Sequence, residues 1–232
     1  SLTCLKIIIA ILTRIFFSLF IVSFVLALPL KKQDYIDFIE ARYAGDTSTV
    51  DSMITENFTY NHVPYVGLGI FTEYVESELV VTGIVDDSIQ TALDIGDRIH
   101  EINGTNANTF GQDFNGPVGD MQTLILTKSG DSTFQELSIP LAEYQYRQNN
   151  VSFYESILNY ATTWYSYEIK YIDILKEKEK AIVYYVWKGS KEEGGPVYQF
   201  YAMEAFYSDK KSELIYQVDA LWSEKQFRDQ FK

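Results

Sequence analysis

The sequence predicts an α+β protein in which one domain interrupts another, and three observations carry that expectation. Helical spacing of apolar residues is confined to residues 34–56 and to a stretch that begins near residue 150. The C-terminal third holds four apolar runs separated by turn signals, the pattern of an antiparallel meander. Between these regions, residues 65–141 change in kind: they are dotted with glycine, rich in short β-type runs, and carry twelve acids against two cations, Arg98 and Lys128.

Taken in order, Tyr35, Ile36, Phe38, Ile39 and Tyr43, then Val50, Met53 and Ile54, fall at helical intervals. Gly45-Asp46 breaks the run and supplies a turn and an N-cap for a second short helix. Residues 58–62 alternate and stop before Pro64, as a strand does. A long amphipathic helix follows at VSFYESILNYATTWYSY, from residue 151. Strands are expected at 168–175, 181–188, 197–207 and 213–222. Lys-Glu-Lys-Glu-Lys, Gly194-Gly195-Pro196 and Ser208-Asp-Lys-Lys lie between them.

Composition excludes several functions. Across 232 residues, 19 Lys and Arg face 32 Asp and Glu, a net charge of −13. Such a surface repels phosphate backbones and anionic headgroups, so no nucleic-acid partner is expected. One cysteine, Cys4, and two histidines, His62 and His100, leave no cluster with metal-ligand spacing; no metal site, cofactor or internal disulfide is expected.

Residues 1–30, SLTCLKIIIAILTRIFFSLFIVSFVLALPL, combine Lys6 and Arg14 with an apolar run from Ile15 to Leu28. They read as a secretory signal, with cleavage after Ala27, or as an N-terminal membrane anchor over residues 5–30. Either way the body is placed outside the cytoplasm, periplasmic or secreted, with membrane contact only through this segment.

The middle of the chain carries a series of motifs in a fixed order. Gly67-Leu68-Gly69-Ile70 precedes a strand at 71–76; Val80-Val-Thr-Gly-Ile-Val leads to Asp86-Asp-Ser and a short helix at 89–93. Gly96-Asp97-Arg98-Ile99-His100-Glu101-Ile102-Asn103-Gly104 follows, then Asn115-Gly-Pro-Val-Gly119 and strands at 123–127 and 133–139. In this order and spacing the segment 64–142 resembles a PDZ domain, a small β-barrel, with Gly67–Ile70 similar to the carboxylate-binding loop. The resemblance implies that the amides of Leu68, Gly69 and Ile70 hold a partner's C-terminal carboxylate. Leu68 and Ile70 would line the pocket for its last side chain, and the peptide would add as a strand. Residues 105–115, the opposite wall of that groove, are about one helical turn shorter than the family pattern, and Gly111 lies within them.

The flanks, 31–63 joined to 143–232, resemble the NTF2-like superfamily of the SnoaL-like sort: two helices, a strand, a helix and a four-strand meander. The resemblance implies a cone formed by a curved antiparallel sheet with helices, interrupted by the PDZ-like segment; an unrelated cystatin-like α+β domain would share much of that topology. It also implies a pocket for a small hydrophobic ligand and pairing of two copies through the open side of the sheet. Tyr60 and His62 share a face of the strand that enters the cone, and Glu204 and Asp219 are the carboxylates within strongly apolar runs. These four are the candidates for acid–base work in a SnoaL-like isomerase, cyclase or hydratase. No nucleophile–base–orienter set is visible. The leading expectation is therefore an exported, non-enzymatic binding protein that captures a C-terminal or extended peptide, with the small-ligand pocket as the alternative.

Overall fold

A computed structural model describes residues 30–109, 114–222, 227 and 230. The apolar segment 1–30, save Leu30, and part of the 105–115 wall thus lie outside the described residues. The described chain is α+β, with three helices and two large sheets. No helix among the described residues is long and apolar enough to cross a membrane.

Helix α1 (Lys32–Ala44) starts where the Asp34 carboxylate accepts from the Lys31 amide, and stops at Gly45. Gly45 is left-handed (φ 79°), and its Cα is packed so closely that a Cβ would stand 2.7 Å from Ala161 Cβ. Asp46 then caps helix α2 (Thr47–Met53) by accepting from Thr49 N. Strand β1 (Ile54–Asn61) begins earlier than the alternation at 58–62 indicates. Ile54, expected at the end of a helical run, is buried opposite Ile215 in the sheet. Helix α3 (Asn150–Thr163) is capped by Asn149 and ends before the expected 167, because Ser166 and Tyr167 already pair in the sheet.

The meander is β11 (Ser166–Glu177), β12 (Lys180–Ser190), β13 (Tyr198–Ser208) and β14 (Ile215–Trp222). Its last strand starts two residues later than expected, since Glu213 adopts a left-handed conformation closing a turn on Asp209. Strand β1 lies parallel to β14, and β10 (Arg147–Gln148) completes the order β10-β1-β14-β13-β12-β11. The inner face of this sheet and the helices share one core rich in rings, with Phe38 packed on Phe58, Phe153 and Phe206.

The middle segment builds its own sheet, β3-β4-β5-β7-β8, from β3 (Ile70–Val75), β4 (Glu78–Ile84), β5 (Arg98–Ile102), β7 (Met121–Thr127) and β8 (Phe134–Pro140). Strand β6 (Thr105–Asn106) pairs with β5. Its separate core is aliphatic, centred on Leu79, Val81, Ile99, Ile102, Leu124 and Leu126. Strands β2 (Tyr65–Gly67) and β9 (Ala142–Tyr144) pair where the chain enters and leaves it. The short helix expected at 89–93 is instead a turn. Gln90 N bonds Asp86 O, and the Gln90 side chain takes the Ala92 and Leu93 amides that a helix would bond internally.

Candidate functional site

Strand β3 is the outermost strand of the middle sheet, paired only with β4 among the described strands. The Gly67–Ile70 loop feeds directly into it. Gly69 is left-handed (φ 68°), and a Cβ there would overlap the Tyr144 ring, so the loop requires glycine twice over. Gly69 O accepts from Val85 N at 2.8 Å, a bond that flanks the Ile70–Ile84 pair. In an antiparallel ladder a pair flanked in this way turns its amides away from the partner strand. The Ile70 amide therefore faces the unpaired edge. The amides of Leu68 and Gly69 have no hydrogen-bond acceptor among the described residues.

Leu68 is buried in the aliphatic core, and Ile70 packs partly against it. Phe71 and Tyr74 of β3 are exposed; Phe71 meets the Tyr146 ring edge-on at 5.1 Å, and Tyr74 Oη donates to Ala107 O. Opposite the strand, the described residues between 107 and 120 form turns and no helix. Both cations of the segment are already engaged, Arg98 with Glu78 and Lys128 with Asp94 and Asp97. Neither of these two cations is free to face the loop.

The four candidates of the flanking segments separate. Tyr60 and Glu204 meet: Tyr60 Oη donates to Glu204 Oε1 at 2.9 Å. Sequence reasoning missed the group that joins them. Arg42 of α1, 7% exposed, donates to Tyr60 Oη, to Tyr185 Oη and to Glu204 Oε1 at 2.8–2.9 Å. Tyr185 Oη also donates to Glu204 Oε1, and the Tyr43 and Tyr185 hydroxyls are 2.9 Å apart. Arg42 occupies the apolar stripe of α1 with Tyr35, Phe38 and Ile39, and a cation at such a position was the available signal. Burial opposes its charge, but Glu204 and the surrounding phenols outweigh burial and hold the guanidinium pKa well above its ordinary value. Burial likewise pushes the Tyr60 and Tyr185 phenols far up, against the lowering pull of Arg42. The cluster ties α1 to β1, β12 and β13 by side chains alone.

His62 packs its ring on Tyr60 and Tyr146 and meets Gln148 Oε1 through Nε2 at 2.9 Å. Asp219 is on the other face of the sheet. It pairs in register with Asn61 and Ala205, and accepts from Asn61 Nδ2 at 2.7 Å and Gln217 Nε2 at 2.8 Å. Register puts Leu175, Ile182, Met203 and Leu221 on that same face, all exposed. A surface hollow of about 320 Å³, lined by Glu177, Lys180, Tyr207 and Tyr216 among others, includes none of the expected site residues. Among the described residues no group of His, Cys, Asp or Glu is arranged to hold a metal.

No family model matches the chain, and no curated protein matches it. Solved structures that resemble it include TerC co-crystallised with polyporic acid, 8% identical, covering 84% of this chain and 96% of that one at a TM-score of 0.38. Another is a protein of unknown function with a cystatin-like fold from Methylobium petroleophilum PM1, 9% identical, covering 86% and 82% at 0.35. At these TM-scores neither likeness assigns a function.

Proposed function

We propose that this chain is an exported, non-enzymatic binding protein whose PDZ-like middle segment, inserted in an NTF2-like frame, captures the C-terminus or an extended stretch of a partner protein. One observation carries the reading: the Gly69 and Ile70 amides are left over beside the unpaired edge of β3, where an added strand finds both main-chain partners and an anion site. The excess of acids and the two engaged cations favour a partner tail with basic residues before its terminus, since screening acts over only about 8–10 Å. A C-terminal peptide library presented to the full chain, with Gly69→Glu as control, tests the reading. Sequence-selective binding that the control loses is expected; no binding by the folded wild-type chain refutes it. The exposed Leu175, Ile182, Met203 and Leu221 support pairing of two copies through the outer sheet face, which sedimentation as a monomer throughout the micromolar range would refute.

A second reading, a small hydrophobic ligand in the interior of the flanking frame, draws on three polar atoms there without a partner. They are Glu204 Oε2, Tyr160 Oη and Trp187 Nε1, all buried. It requires a neutral ligand that raises the thermal midpoint and quenches tryptophan emission; a hydrophobic-alcohol screen with neither effect removes it.

A further inference from the structure

The orientation of the loop amides is fixed through their carbonyls. A trans peptide unit is planar, with its C=O and N–H pointing opposite ways. Pinning Leu68 O on one side therefore aims Gly69 N to the other, and pinning Gly69 O aims Ile70 N likewise. Val85 N, a backbone group, pins Gly69 O. Leu68 O is pinned by a side chain: Gln90 Nε2 donates to it at 2.6 Å.

Gln90 is suited to that task by being held itself. It is 4% exposed, and its Oε1 accepts from Ala92 N at 2.9 Å and Leu93 N at 3.3 Å. Two donors on one end and a carbonyl on the other allow a single orientation of the amide group. The Tyr144 ring closes the remaining side of Gly69. Of these clamps only Gln90 can be released by a side-chain change that leaves the neighbouring backbone and ring in place.

We propose that Gln90 is the positioning residue of the loop: by holding Leu68 O inward it presents the Gly69 amide outward to a terminal carboxylate, and so sets the preference for a free C-terminus over an internal or blocked one. This rests on the peptide-capture reading above.

The test uses the full chain and one hexapeptide selected from the library, synthesised as free acid and as C-terminal amide. The wild type is expected to favour the acid by about tenfold or more, the worth of one charge-assisted hydrogen bond. Gln90→Glu keeps an acceptor for Ala92 N and Leu93 N but loses the donor to Leu68 O; Gln90→Met loses both without adding charge. Both variants are expected to bring acid and amide to near-equal affinity with affinity for the amide little changed; the lost buried hydrogen bonds lower the thermal midpoint, so binding is measured well below it. Gln90→Met, which adds no charge, separates lost positioning from repulsion by the new carboxylate, because burial at position 90 shields that carboxylate from salt. If the variants weaken both peptides alike, or keep the preference, Gln90 has no positioning role. If the wild type binds no peptide, the capture reading fails, and the role of Gln90 is read from the Gly69 amide resonance during titration with sodium acetate. A shift in the wild type that both variants lose supports the positioning role, and equal or absent shifts overturn it.

Discussion

The two regions of this molecule solve the same problem, how to hold polar groups inside a small core, by different means. The middle segment has an aliphatic core and wraps its buried acid, Asp97, largely in backbone: Asp94 N and Ser129 N donate to it, and partly buried Lys128 adds one ion pair at 2.8 Å. The flanking segments have a ring-rich core and hold Arg42 and Glu204 with phenols and with each other, drawing on α1, β1, β12 and β13. Backbone wrapping is local and survives most substitutions nearby. A side-chain network is assembled across the whole sheet, and each member depends on the others. The expected consequence is that the flanks are fragile to single polar changes and the middle segment is not.

Three tryptophans, Trp164, Trp187 and Trp222, all lie in the flanks, so their fluorescence reports that region alone. The sharpest break of the contrast is Glu204→Ala, which leaves Arg42 charged and unpaired; it should cost about 3–5 kcal/mol in urea unfolding followed by tryptophan emission. Combining Arg42→Met with Glu204→Leu should restore most of that, whereas a cost below about 1 kcal/mol for the single change would show the pair to be incidental. In the middle segment Leu124→Ala should cost roughly 3 kcal/mol, read by amide exchange in β5 and β7, and leave the tryptophan transition where it was.

Alkali offers a graded test. Burial raises the Tyr60 and Tyr185 phenols in the folded chain, so the unfolded chain ionises first. Their contribution is fully present below about pH 10 and declines as pH rises beyond it, by about 1.4 kcal/mol per unit for each phenol, until the folded phenols titrate. Replacing both by phenylalanine should lessen the fall in urea midpoint between pH 9 and 11, with Tyr43, Tyr160 and Tyr171, also raised by burial, carrying the remainder; an unchanged slope would place the alkaline sensitivity elsewhere. The smallest effect is expected from Asn149→Ala, which removes the cap of α3 and should lower the tryptophan-detected stability by about 1 kcal/mol.

The same difference decides what could be read from the chain alone. Element order in the meander was legible to within two residues, because alternating side chains and glycine-rich turns are local signals. The loop at Gly67–Ile70 was legible for the same reason: Gly69 is demanded by its own backbone angle. Arg42 was not singled out, although it sits on an apolar stripe, because its partner lies 162 positions away. Gln90 was hidden in a different way, since a polar residue in an acidic turn gives no sign that its side chain will replace a turn of helix. Asp219 and Glu204 look alike in sequence, each inside an apolar run, yet a two-residue period assigns them to opposite faces once the register is set.

The parallel pairing of β1 with β14 also fixes a timetable. Tyr60 meets Val218, which leaves the ribosome long after it, while every strand of the middle sheet finds its partner within residues 70–140. In a nascent chain the middle segment can close its core while α1 and β1 are still waiting for the last strand. The ring-rich face of α1 is therefore exposed for most of synthesis, and the nascent chain should depend on holding factors that bind aromatic helices until β14 emerges.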